Sequence, residues 1–311
     1  MQGGKIFNPF KEYSLIPAIV TPMRADYSVD LDQMEKYVKW LLNFDIGGLA
    51  VAVDTGEGPQ LYRDEKLAIV KLVSSVVKGR VPVVVGLQAI NTFDAIEMAK
   101  QLRDSGADAF LVFPHSLFIG HPNEDVIYMY HKALSDSIDV PLVVFNLQPE
   151  LGGVEYTPKA IELLSSLRTV VAIKEASFNA KKFLDIVRVI KRLGNSIMVL
   201  TGNDNFIYES LVMGARGGLL GFGTIAVGEQ VEMFRLVAKR RYDEALEIWE
   251  MLVPLMEVVF APPVRNYRAR LKEALTMMGV LETAYVRPPL HPISSDERER
   301  IRGILKQLKF I

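Results

Sequence analysis

Short, almost wholly apolar runs return eight times along this chain, at residues 16–20, 48–53, 81–86, 109–113, 142–146, 170–173, 198–201 and 217–220. Few folds accept that pattern. A strand with one face in water alternates apolar and polar residues, whereas a strand that is apolar throughout must be covered on both faces. Between the runs lie longer stretches with helical period, at 32–44, 63–77, 92–104, 124–137, 158–166, 180–193, 205–213 and 230–239. In the first of these, Met34, Val38, Leu41 and Leu42 share one face. Successive runs start roughly 20–33 residues apart, the length of one βα unit. Eight units in series predict an α/β chain closed as a (β/α)8 TIM barrel, with an open doubly wound sheet as the alternative. A chain of 311 residues suits one such barrel with additions.

Glycines at Gly47-Gly48, Gly79, Gly106 and Gly194 stand where helices should stop before the next strand. After Lys239 the rhythm changes. An amphipathic helix is expected over 242–260, Pro262-Pro263 ends it, and a second helix follows at 264–278. Pro288, Pro289 and Pro292 lead into a third at 294–308. The reading is a barrel over 1–240 and an extension of three additional C-terminal helices over 241–311. With no flexible linker, the extension should pack on the barrel. Its apolar face (Met251, Leu252, Leu255, Met256, Val259, Phe260) is then expected to cover the same barrel rather than a second subunit.

Composition excludes several functions. The 36 basic and 37 acidic residues give a net charge of -1, so neither nucleic acid nor an anionic membrane is an expected partner. There is no cysteine, which removes disulfides, thiolate nucleophiles and cysteine-ligated zinc. No apolar run reaches the roughly 18 residues of a membrane span, and the amino terminus lacks a signal-peptide core, so a cytoplasmic location is the default. The four histidines, His115, His121, His131 and His291, show no metal-binding spacing, and no metal is expected.

Barrel enzymes work at the carboxyl ends of their strands. Strand six ends in Ile173-Lys174-Glu175-Ala176. A lysine there is desolvated, which favours the neutral amine that imine formation needs. The alternative is a structural lysine paired with Glu175. Strand two ends in Asp54-Thr55-Gly56-Glu57-Gly58 before a helix, a place where glycines and free N–H groups could receive a carboxylate, or simply an ordinary turn. Strand five ends in Phe145-Asn146, strand seven in Gly202-Asn203-Asp204, and strand eight is glycine-rich around Leu219. His115 and His121 follow strand four and are possible acid–base groups.

Taken in order, these strand ends resemble the dihydrodipicolinate synthase/N-acetylneuraminate lyase family. The landmarks are residues 17–22, Thr55-Gly56-Glu57 with Leu61 and Glu65, residues 105–108, Ile173-Lys174-Glu175-Ala176, and Gly202 with Asp204. The resemblance implies a class I, pyruvate-type aldolase or lyase. Lys174 would form the imine with a 2-oxo acid, and the Thr55 region would bind its carboxylate; Thr55, Gly56, Phe145, Gly202 and Leu219 are the strand-end candidates for binding substrate. No cofactor would be needed, since the protonated imine is the electron sink. It also implies a homo-oligomer, dimer or tetramer.

Three departures stand out. Where the family has a proton-relaying tyrosine in a Tyr-Asn pair, this chain has Phe145-Asn146, and phenylalanine cannot transfer a proton. Asp54 replaces a hydroxyl residue, and is the first candidate for the missing proton carrier, ahead of His115 and Tyr128. Where dihydrodipicolinate-forming members place an arginine for the second substrate's carboxylate, this chain has Gln148-Pro149-Glu150-Leu151. The leading expectation is therefore a Schiff-base lyase, aldolase or dehydratase, for pyruvate or a 2-oxo-3-deoxy sugar acid. A catalytically impaired binder of 2-oxo acids is the alternative, and dihydrodipicolinate synthesis is ranked lower.

Overall fold

The computed structural model describes residues 5–120 and 123–311. Eight parallel strands form one sheet: β1 Leu15–Pro17, β2 Leu49–Val51, β3 Val83–Leu87, β4 Ala109–Val112, β5 Leu142–Leu147, β6 Val170–Ala176, β7 Met198–Thr201 and β8 Gly218–Leu220. Neighbours follow the order β1-β8-β7-β6-β5-β4-β3-β2. The two ends meet through a parallel bridge between Ala18 and Ala50, where Ile19 N donates to Ala50 O at 2.9 Å. The sheet is thus a closed barrel rather than an open one.

The connecting helices are α1 Leu31–Leu41, α2 Arg63–Val77, α3 Thr92–Asp104, α4 Glu124–Ser137, α5 Pro158–Ser166, α6 Ala180–Arg192, α7 Ile207–Met213 and α8 Val227–Ala238. Side-chain caps fix several starts: Asp30, Asn91, Asn123, Thr157 and Asn179 accept from the first turns of α1, α3, α4, α5 and α6. Two strands differ from the sequence reading for clear reasons. β1 stops at Pro17 because the chain then leaves β8 for β2 to close the barrel. β6 runs on through Lys174 and Glu175, whose charges end the apolar run but not the ladder.

One apolar layer fills the barrel interior, with Ile16, Ala50, Val84, Leu111, Val143, Ala172, Leu200 and Leu219. A second lies between strands and helices. The tail forms α9 Tyr242–Val259, α10 Tyr267–Met277 and α11 Ser295–Gln307. On α9 the face expected to be apolar is buried within this chain, except Met251, which is 41 % exposed. Ion pairs join tail to barrel. Lys272 meets Glu57 with both side chains fully buried, and Arg287 grips Glu65 through two 2.7 Å bonds. The tail consequently lies over the carboxyl ends of the strands. No helix among the described residues is long and apolar enough to cross a membrane.

Candidate active site

Lys174 sits opposite Phe145 on β5 and Leu200 on β7, whose side chains belong to the barrel interior. Strand pleating sends the next residue the other way. Glu175 accordingly turns outward, accepting from Asn146 Nδ2 at 3.0 Å, Asn203 Nδ2 at 2.7 Å and Ser177 N at 3.2 Å. The pairing of Lys174 with Glu175 considered from sequence is therefore not made. Among the described residues the Lys174 amine has no hydrogen bond or ion pair; its Nζ lies 4.4 Å from the centre of the Phe145 ring.

Burial strips water from this ammonium and lowers its pKa to about 8, against the smaller opposing pull of the Asp204 and Asp54 charges. Asp204 is shifted the other way, up to about 7, chiefly by its own desolvation. Its Oδ1 accepts from Phe222 N at 2.8 Å, which fixes the carboxyl at the end of β8. A buried amine and a buried carboxyl, both brought close to neutrality, are an acid–base pair in waiting.

The loop after β2 adds a second charged group. A three-residue 3-10 turn at Gly58–Gln60 separates it from α2, which opens only at Arg63, so of the two sequence readings this segment follows the ordinary turn. Asp54 is held instead by the tail. Arg268 donates from Nη2 to its Oδ1 and from Nε to its main-chain oxygen at 2.7 Å. Tyr267 donates its hydroxyl to Asp54 Oδ2 at 2.8 Å and lies 3.3 Å from Thr55 Oγ1.

These groups surround a cavity of about 20 Å³, lined by Asp54, Thr55, Phe145, Lys174, Gly202, Asp204 and Tyr267, with Leu151, Phe178 and Phe260 as apolar lining. That holds about one water. Two residues expected at the site do not line it. Leu219 lies one layer deeper, level with Ile16 in the interior core. Gly56 packs beneath the loop, its carbonyl accepting from Thr21 Oγ1 at 2.7 Å. His115 is spent on the main chain of Ile90 and Leu117, at an outer hollow of about 620 Å³. Tyr128 lines a different hollow with Lys5 and Arg168. His121 lies outside the described residues. No group of three or more potential ligands for a metal occurs among those described.

Sequence reasoning missed Tyr267, Arg268 and Phe260. One signal was available: residues 265–270 are polar, basic and aromatic just after a proline break, yet every residue from Tyr267 to Leu275 is buried.

An interior lysine at a strand end of a (β/α)8 barrel, desolvated and close to an acidic group, is an arrangement that suits a class I, Schiff-base aldolase or lyase. Comparison with known proteins agrees. The sequence profile of the Dihydrodipicolinate synthetase family matches residues 11–308, and the chain belongs to that family. A 4-hydroxy-tetrahydrodipicolinate synthase of Archaeoglobus fulgidus is 30% identical over 298 residues, covering 96% of this chain and 98% of its own. The dihydrodipicolinate synthase of Thermotoga maritima superposes with a TM-score of 0.90 at 28% identity, covering 98% of this chain and 100% of its own. The chloride-inhibited dihydrodipicolinate synthase of Acinetobacter baumannii, complexed with pyruvate, gives 0.85 at 27% identity, with 96% and 99% covered.

Proposed function

We propose that this protein binds pyruvate as an imine on Lys174 and makes or breaks a carbon–carbon bond at its methyl carbon, with condensation of the dihydrodipicolinate-synthase type as the leading reaction. The observation that carries the proposal is the buried Lys174 amine with its pKa lowered to about 8. A neutral amine adds to the C2 carbonyl, and the oxygen leaves as water once protonated. Asp204, protonated over part of the neutral range, is the group suited to supply that proton. Thr55 and Gly202 are proposed to flank the bound acid.

Sequence alone ranked dihydrodipicolinate synthesis below sugar-acid cleavage because Glu150 occupies the place of an arginine. The names of the relatives favour the opposite order. The tail also brings an arginine to that rim: Arg265 donates from Nε to the Glu150 main-chain oxygen at 2.8 Å. Cleavage of a 2-oxo-3-deoxy sugar acid is kept as the second reading, favoured by the Glu150 carboxylate, which would repel an anionic acceptor. A homo-oligomeric assembly and a cytoplasmic setting belong to the proposal as well.

Two substrate sets separate the readings. Pyruvate is supplied with aldehydes that carry a carboxylate, and, separately, the enzyme is given 2-oxo-3-deoxy sugar acids. Pyruvate consumption at roughly 1–1000 per second with the first set upholds the leading reading. Pyruvate release confined to the second upholds the other. Turnover with neither leaves a 2-oxo acid binder and overturns both.

A further inference from the structure

Enamine formation from a pyruvate imine requires a proton to leave C3, and Phe145, the ring beside Lys174, has none to exchange. A phenol reaches the same cavity from the other end of the chain. Tyr267 opens α10, is 4 % exposed, and lines the cavity together with Lys174, Asp54 and Thr55. Its hydroxyl donates to Asp54 Oδ2 at 2.8 Å, and the opposite oxygen of that carboxylate is taken by Arg268. The ring is held as firmly. It stacks on Phe260 with centroids 5.0 Å apart and planes at 18°, and the Arg268 guanidinium carbon lies 5.0 Å from its centre.

A network of this kind can be a clasp and nothing more. The tail, however, is already fastened outside the cavity by Lys272 with Glu57 and by Arg287 with Glu65. Unlike those two ion pairs, the Tyr267–Asp54 contact places a hydroxyl and a carboxylate in the lining of the cavity that holds Lys174.

We propose that Tyr267 is a catalytic residue that carries the C3 proton of the Lys174-bound substrate, with Asp54 as its exchange partner; the proposal rests on the imine reading above. The C3–H bond breaks, and its electron pair forms the C2–C3 double bond while the C2–N π pair returns to nitrogen. The proton bonds to the Tyr267 oxygen as the tyrosine's own proton passes to Asp54 Oδ2. The positive iminium and the carboxylate become a neutral enamine and a carboxylic acid, so charge balances. The reverse sequence returns a proton to C3 in the cleavage direction. Burial, reinforced by the Asp54 charge, holds the phenol well above its ordinary pKa, so it rests in the protonated form.

The test needs only pyruvate. The enzyme is placed with pyruvate in deuterium oxide, and loss of the methyl proton signal is followed by NMR, with borohydride trapping run in parallel. Wild type should give both a trapped adduct and exchange. Tyr267→Phe keeps the ring and its stack; it should trap pyruvate as wild type does while exchange falls by at least about 100-fold. Equal exchange in this variant overturns the relay, as does a wild-type adduct without exchange. Should Tyr267→Phe lose trapping or fold, Asp54→Asn decides, because the amide still accepts a hydrogen bond but cannot take the proton. Exchange at the wild-type rate in that variant overturns the relay, and its loss upholds it. Absence of any wild-type adduct is a separate result, which removes the imine reading and the relay with it.

Discussion

The stem of Lys174 runs across the main chain of Gly202, where an added β-carbon would come within 2.5 Å of Lys174 Cε and 2.9 Å of the Ala176 β-carbon. The glycine is there for space and not for turn geometry. Gly202→Ala should therefore push the amine out of line, with a small local shift at the end of β6 and the rest of the barrel still formed. The expected outcome is a loss of at least about tenfold in the rate of borohydride trapping with pyruvate, because small displacements of reacting atoms are costly. Trapping at the wild-type rate would mean that the lysine stem is free to move aside.

The lowered pKa of Lys174 gives trapping a definite pH profile. Only the neutral amine attacks, so the rate should climb as pH rises toward about 8, and fall again on the alkaline side as Asp204, the proposed proton donor with its pKa near 7, ionises. The Asp204 charge holds the lysine pKa up, so removing it should let that pKa fall. In Asp204→Asn the midpoint should move to lower pH. A wild-type midpoint near the ordinary lysine value of about 10.4 would show the amine to be solvated.

Lys272 and Glu57 form an ion pair with no side-chain exposure at either partner, beneath the loop that carries Asp54. Lys272→Met leaves Glu57 buried without its cation and should cost about 3–5 kcal/mol in urea unfolding. Adding Glu57→Gln to that variant should recover part of the loss, since no lone charge then remains buried. Equal stability of wild type and the single variant would mean that water reaches the pair.

Phe145→Tyr puts a phenol back on strand five, beside the Lys174 amine. If Tyr267 already carries the proton, this change should alter methyl exchange of pyruvate by less than about tenfold. A rise of 100-fold or more would show that wild type lacks an efficient proton carrier.

The barrel was legible because burial on both faces leaves a mark that is local in sequence. The helices at Arg63–Val77, Thr92–Asp104, Glu124–Ser137 and Pro158–Ser166 fall where periodicity put them. Lys174 was legible for the same reason, as a charge ending an apolar run. Asp54, Thr55, Phe145 and Gly202 were picked out as candidates because sites in this fold gather at strand ends, and all four line one cavity with Lys174. Tyr267 and Arg268 were not found. They stand 213 and 214 residues from Asp54, on a helix that periodicity located but whose packing over the strand ends it could not show. Leu219 was assigned one layer too high, because inward-facing positions of a strand look alike from sequence and differ only in depth. The helix after strand two opens at Arg63, where periodicity put it; the 3-10 turn at Gly58–Gln60 that precedes it, which glycine and proline admit, was not foreseen.

The central claim is that Lys174 forms an imine, and one measurement addresses it without knowledge of the second substrate. The protein is incubated with pyruvate and borohydride, weighed intact, digested, and the modified peptide sequenced. One reduced pyruvate adduct per chain is expected, located on Lys174 and absent from Lys174→Ala. An adduct on another lysine, or none on the folded protein, would contradict it.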